Sequence, residues 1–256
     1  MPAWTEVMQM TARSVTRCLL LSAWIAGSSP EAFAIFVEFD EQARSAISET
    51  EQSTILEIAE ATDAEVRRLL PQLPSDIRVS ISTGTGVIPE TGTAAASLER
   101  DHIVWVVDAS RPEGVIAIAR SNLRSALFHE MHHLARGWVV TGGQPVTSIM
   151  DAVVSEGMAT VFERDFAGSE PLWGAYPEDV AEWVDELLAL PVSGLDSYEQ
   201  WVFQHDDGRR WIAYCAGTYV VDLAIARSGM SSVELVQLPT DEVLELAGLE
   251  RDTASR

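Results

Sequence analysis

Ser125-Ala126-Leu127-Phe128-His129-Glu130-Met131-His132-His133-Leu134-Ala135-Arg136-Gly137 is the stretch on which the reading of this chain turns. The pattern from Val115 onward is helical, and it predicts a helix from about Ile116 or Ser121 to Arg136, closed by Gly137. Residues four apart on a helix project from one face, so the His129 and His133 imidazoles can meet a single ion. Neutral imidazoles are good zinc ligands, and two of them leave a tetrahedral set incomplete. Glu130 follows the first of the pair, rotated toward His133, where a general base for an activated water has to stand. A five-residue H-E-x-x-H pattern also arises by chance in helices. Here, three of the chain's five His fall within this one stretch. His132 points away from the His129/His133 face, which predicts a supporting or surface residue rather than a ligand.

A hydrolytic zinc centre needs a third protein ligand and one open position. Gly142-Gly143-Gln144-Pro145 breaks the chain, and Thr147 or Ser148 is placed to cap a second helix reaching about Phe166. Ile149, Val153, Gly157 and Val161 mark its buried side, and Glu156 falls on the edge of that stripe. A carboxylate beside an apolar face is costly unless positive charge meets it, and a zinc ion on two imidazoles would do so. The competing reading makes Glu156 a cap or an ion-pair partner of Arg124 or Arg136. Gly157 would let this helix approach the first one closely. The expected ligands are therefore His129, His133 and Glu156.

These parts agree on one mechanism: zinc acidifies its water and polarises a carbonyl, while Glu130 takes the proton and passes it to the leaving amine. The oxyanion needs another donor. Tyr214, in Trp211-Ile212-Ala213-Tyr214-Cys215-Ala216-Gly217, is the first choice, with His205 and Tyr219 behind it. A buried tyrosine with a hydrogen-bonded hydroxyl explains Tyr214 equally well. His205, beside Asp206 and Asp207, reads as part of a solvated loop, and His102, next to Asp101, as a turn residue. Cys215 reads as a small core residue, and Trp173, Trp183, Trp201 and Trp211 read as core rather than as a ligand cage.

Outward from these helices the pattern changes. Ile35 to Phe39 alternates toward strand and ends at Asp40, which can cap a helix through Ala43 and Ile47. A longer helix is expected from about Thr54 to Leu70, stopped by Pro71 and Pro74. Ile77 to Ile81 and Ile103 to Val107 read as strands, with a Gly-rich loop from Thr83 to Thr93 between them. Further helices are expected at Pro177 to Leu188, Trp211 to Arg227 and Ser232 to Leu238. The sum is an α+β fold: a small sheet in the N-terminal half, then a mainly helical region, with residues 35–256 as one domain.

The chain has 256 residues, nearly half of them apolar, which is enough to bury a core without staples. Its formal net charge is −22, and all 17 basic residues are Arg. Such a surface repels phosphate backbones and anionic lipid heads, which argues against a nucleic-acid partner. Two cysteines, Cys18 and Cys215, make no disulfide framework. Arg13 and Arg17, the apolar run Cys18 to Gly27 and Ala32-Phe33-Ala34 follow the order of a secretory signal peptide, so residues 1–34 read as a leader. Export to a periplasm or medium is the expectation, and an N-terminal amphipathic helix on a cytoplasmic protein is the alternative. The leader's apolar run is too short to span a bilayer, and no later stretch is suited to a stable membrane helix.

Leu127 to His133, Val154-Ser155-Glu156-Gly157-Met158-Ala159, and Arg210 to Tyr214 with Gly217 and Val221 together resemble a bacterial family of predicted zinc-dependent proteases. That family is catalogued as a domain of unknown function and is related to the gluzincin metallopeptidases. Val87 to Gly92, the strand at Ile103 and Asp108 to Pro112 also resemble its upstream part, so the likeness spans about Ile35 to Leu246. It implies His129, His133 and Glu156 as ligands of Zn2+, Glu130 as base, a gluzincin-like fold, and a peptide lying along a sheet edge beside the active helix. One departure is Ala213, where the family carries Gly before the Tyr. The expected activity is hydrolysis of peptide or protein substrates. The alternative is a non-catalytic zinc-binding or regulatory module on the same fold.

Overall fold

A computed structural model of the chain describes residues 34–140, 143, 148–191, 193–195 and 197–251. The leader reading before Ala34, with Cys18, and most of the expected break at 142–145 lie outside the described residues, as does Thr147.

Four strands form one sheet in the order β1-β2-β4-β3. They are β1 (Ala34–Phe39), β2 (Asp76–Thr83), β3 (Thr93–Glu99) and β4 (His102–Val107). β1, β2 and β4 run parallel, and β3 returns antiparallel along β4 as an edge strand. Between β1 and β2 lie α1 (Glu41–Ala46) and α2 (Glu49–Leu69). As expected, the Asp40 side chain caps α1, accepting from the Ala43 N–H. α2 begins earlier than its apolar pattern suggested, because Ser48 and Glu51 form a reciprocal cap.

β3 was not anticipated. Its Thr-Ala-Ala-Ala-Ser-Leu-Glu sequence is poor in β-branched residues, and pairing with β4 decides its conformation. His102 is not a turn residue. It is buried at the start of β4, with Nε2 2.8 Å from Ser80 Oγ and Nδ1 3.1 Å from Arg78 Nη2. Those polar partners on the neighbouring strand extend β4 by one residue.

The helical half follows: α3 (Val115–Arg136), α4 (Ile149–Phe162), α5 (Val180–Leu188), α6 (Tyr198–Val202), α7 (Ile212–Ser228), α8 (Ser232–Leu235) and α9 (Thr240–Ala247). α3 ends at Gly137 in the left-handed conformation, as its sequence predicts. Ser148 and Asp151 cap α4. α4 ends four residues short of Phe166 and passes into a π-helical turn, Glu163–Ala167. α6 and α9 had no clear sequence signal.

Two apolar clusters carry these elements. One joins α1, α2 and α3 to the inner face of the sheet through residues such as Ile55, Val79, Trp105 and Leu127. The other surrounds α4 with α5, α7 and α9 through Val153, Val184, Val221 and Leu244. α4 does not have the one-sided stripe expected of it: every residue except Asp151 is buried. Its Gly157 faces α7, not α3. A Cβ built there would lie 2.2 Å from the Gly217 carbonyl carbon, and one on Gly217 would lie 2.0 Å from the Val153 oxygen. The fold is α+β, and no described helix is long and apolar enough to cross a membrane.

Candidate metal centre

α3 and α4 bring their polar residues together at one buried point. His129 Nε2 lies 3.1 Å from His133 Nε2 and 3.1 Å from Glu156 Oε2, and His133 Nε2 lies 3.2 Å from the same oxygen. All three side chains are buried. The competing partners of Glu156 are engaged elsewhere. Arg124 bonds Glu65 and the Phe166 and Ala167 carbonyls, and Arg136 bonds Ser155, Met158 and the Val236 and Leu238 carbonyls.

The surroundings of this triangle attract a cation. Burial pushes the His129 pKa down, but its contacts to the Glu156 and Glu163 carboxylates and the Glu130 charge raise it to about 10. Burial likewise opposes ionisation of Glu156, yet the two imidazoles hold its carboxyl well below the usual range. A tetrahedral zinc with bonds of roughly 2.0–2.1 Å separates its ligand atoms by roughly 3.3–3.4 Å. The three edges of 3.1, 3.1 and 3.2 Å come close to one face of that tetrahedron. Among the described residues, these three form a group able to hold a metal ion. The donor set, two imidazoles and one carboxylate, is one that zinc accepts.

Two supporting residues had not been singled out. Glu163, in the π-helical turn after α4, sets Oε2 3.3 Å from His129 Nδ1, and Ser169 Oγ donates to its Oε1 at 3.0 Å. Its spacing of seven from Glu156 was the available signal, because two helical turns return to one face. Ser97 on β3 places Oγ 2.8 Å from both Glu130 Oε2 and the Glu130 carbonyl, so its single proton is shared between them. Nothing local in the sequence pointed to Ser97.

The remaining candidates separate. The Tyr214 ring lies 6.1 Å from that of His129. Burial, and then the Glu156 charge, push the Tyr214 hydroxyl's pKa well above its usual value, so it stays protonated. Tyr198 on α6 is also raised, by burial and then by the Glu156 charge. His205 is half-buried rather than solvated: it stacks on Trp201 at 4.8 Å and pairs with Asp207 at 2.9 Å, with no contact to the ligand triangle. Tyr219 packs edge-on against Tyr176. His132 is fully buried against Phe162, not at the surface, because the end of α4 covers it. Cys215 is a buried free thiol whose pKa burial pushes up to about 11, as a core residue requires. Trp201 is core, but Trp173 and Trp211 form a wall of the cleft that opens beside His129 and Glu130.

A mixed sheet followed by helices that carry, among the described residues, a buried His-His-Glu group defines a metal-dependent α+β protein. The chain belongs to the family described as predicted Zn-dependent protease (DUF2268), whose model matches residues 47–245, and zinc is its cofactor. No curated protein matches the chain.

Proposed function

We propose that the protein is a gluzincin-like metallopeptidase, with His129, His133 and Glu156 as zinc ligands, Glu130 as general base and Tyr214 as donor to the developing oxyanion. The observation that carries this reading is the near-equilateral triangle of ligand atoms, with edges of 3.1, 3.1 and 3.2 Å, on two successive helices. Zinc supplies there a Lewis acid that polarises the scissile carbonyl and eases deprotonation of water.

The chain's own groups do the rest. Glu130 sits one residue beyond the first ligand, takes a proton from the attacking water and returns it to the leaving amine. Ser97 fixes the orientation of that carboxylate through Oε2. Glu163 Oε2 stands 3.3 Å from His129 Nδ1, and its charge holds the ring with Nε2 toward the centre. The protonated Tyr214 hydroxyl donates where negative charge grows on the substrate oxygen. β3 is an edge strand beside α3, where an extended peptide would pair between Thr93 and Ser97, whose carbonyls already accept from the Ile88 and Val140 N–H groups.

Glu130→Gln tests this reading. The variant is expected to keep one zinc per chain and to lose peptide turnover by about 10²–10⁴-fold. His133→Ala is expected to lose zinc and activity together. Unchanged turnover in Glu130→Gln would defeat the mechanism.

A further inference from the structure

We propose that the cleft beside Glu130 is a subsite for one small branched aliphatic side chain, that of Val or Leu, on a residue flanking the scissile bond. This rests on the metallopeptidase reading for its position next to the reacting bond. The character of the cleft stands independently of that reading.

One wall is aromatic. Trp173, Trp211 and Tyr214 pack on one another with ring centroids 5.6–6.3 Å apart, and all three border the cleft. Trp211 holds this place at a backbone cost: its φ is 58°, a left-handed conformation that suits glycine far better than a bulky residue. The opposite wall comes from Ile88, Ala95 on β3 and Ala126 on α3. The two alanines stand where larger residues would fill the space.

Most polar side chains of the lining spend hydrogen bonds on the protein itself, although the buried Trp173 indole N–H has no partner among the described residues. Thr91 and Thr93 bond each other, Asn122 donates to the Thr91 and Ile118 carbonyls, and Ser125 donates to the Asn122 carbonyl. The charged groups of the lining are His129 and two carboxylates, Glu130 and Glu163, and it holds no Arg, so an acidic side chain meets repulsion.

Size decides among the apolar candidates. The cleft holds about 60 Å³. That is less than half the roughly 150 Å³ of a cavity that takes benzene. The branched end of a Val or Leu side chain fits it better than an aromatic ring. Burying two methyls is worth roughly tenfold in binding.

The test uses zinc-loaded full-length protein and capped pentapeptides that vary one residue through Gly, Ala, Val, Leu, Phe, Trp, Asp and Arg. kcat/KM is measured on the wild type, and Kd by calorimetry on zinc-loaded Glu130→Gln. Val and Leu are expected to exceed Gly, Phe and Trp by roughly tenfold, with Asp poorest. Ile88→Ala should move the optimum toward Phe, and Ala95→Leu toward Gly. Cleavage with a flat profile, or with Phe, Arg or Asp preferred, overturns the subsite and leaves the hydrolase standing. Binding in the Val/Leu order without any cleavage does the reverse. Neither binding nor cleavage overturns both.

Discussion

Helix α3 rests one side on the sheet and sets its residues against polar partners, Glu163 behind His129 and Ser97 behind Glu130. Helix α4 is enclosed by apolar side chains on nearly every side and reaches its place through glycine against glycine. The His129 imidazole and the Glu130 carboxylate are therefore aimed by polar contacts, each of which can be removed singly. The Glu156 carboxylate is aimed by the separation of two helix backbones, which side-chain adjustment cannot change. Polar support should fail in steps, and steric support all at once.

The steepest expected failure is Gly157→Ala. The added Cβ would stand 2.2 Å from the Gly217 carbonyl carbon, and backbone cannot yield as the end of a flexible side chain can. α4 and α7 would have to separate, carrying Glu156 with them. The expected loss is about 3 kcal/mol or more of unfolding free energy, read by urea titration, together with loss of bound zinc. Wild-type stability with full zinc in this variant would remove steric placement from the account. Gly217→Ala should behave alike, since its Cβ meets the Val153 oxygen at 2.0 Å.

A graded result is expected on the polar side. Glu163→Ala removes the carboxylate 3.3 Å from His129 Nδ1 and should weaken zinc binding by about 10–100-fold, measured by competition with a chelator. Glu163→Gln retains an amide oxygen at that place but not the charge, so it should fall between Ala and wild type. If Gln proves equal to wild type, Glu163 does not act through its charge.

How much of this was legible follows from the range of each signal. The His129/His133 pair on α3 depends on i,i+4 geometry and could be read from five residues, and Glu156 followed from its place beside an apolar stripe. The close approach at Gly157 was legible, but not its partner, because Gly217 lies 60 residues on and pairing between distant helices leaves no local trace. β3 escaped for the same reason. A run of alanines becomes a strand only when β4 supplies its hydrogen bonds, and Ser97 became visible only with it. Trp173 and Trp211 were read as core, because hydrophobicity does not separate a core ring from a cleft wall. Nor does composition foretell a tryptophan at φ 58°. His132 shows the reverse limit. Helix geometry turned it away from the face that His129 and His133 share, but only the end of α4 decides that it is buried.

The smallest effect belongs to Ser97, and it tests whether the sheet takes part in catalysis. Ser97 pairs with Ile103, a core residue, so its side chain points inward where an apolar one would normally stand. A buried hydroxyl at such a position is unfavourable unless it has partners, and its partners here are the Glu130 carboxylate and carbonyl at 2.8 Å. In Ser97→Ala the α3 backbone still carries Glu130 beside the centre, so zinc content and KM should change little. The carboxylate loses the contact that fixes its rotamer, and kcat should fall about tenfold, equivalent to about 1.4 kcal/mol. Ser97→Thr keeps the donor and should recover most of that loss. Equal activity in the Ala variant would mean that α3 alone aims the base. A kcat loss in Thr as deep as in Ala, with both variants folded and zinc-loaded, would assign the effect to packing against the sheet instead of to the hydrogen bond.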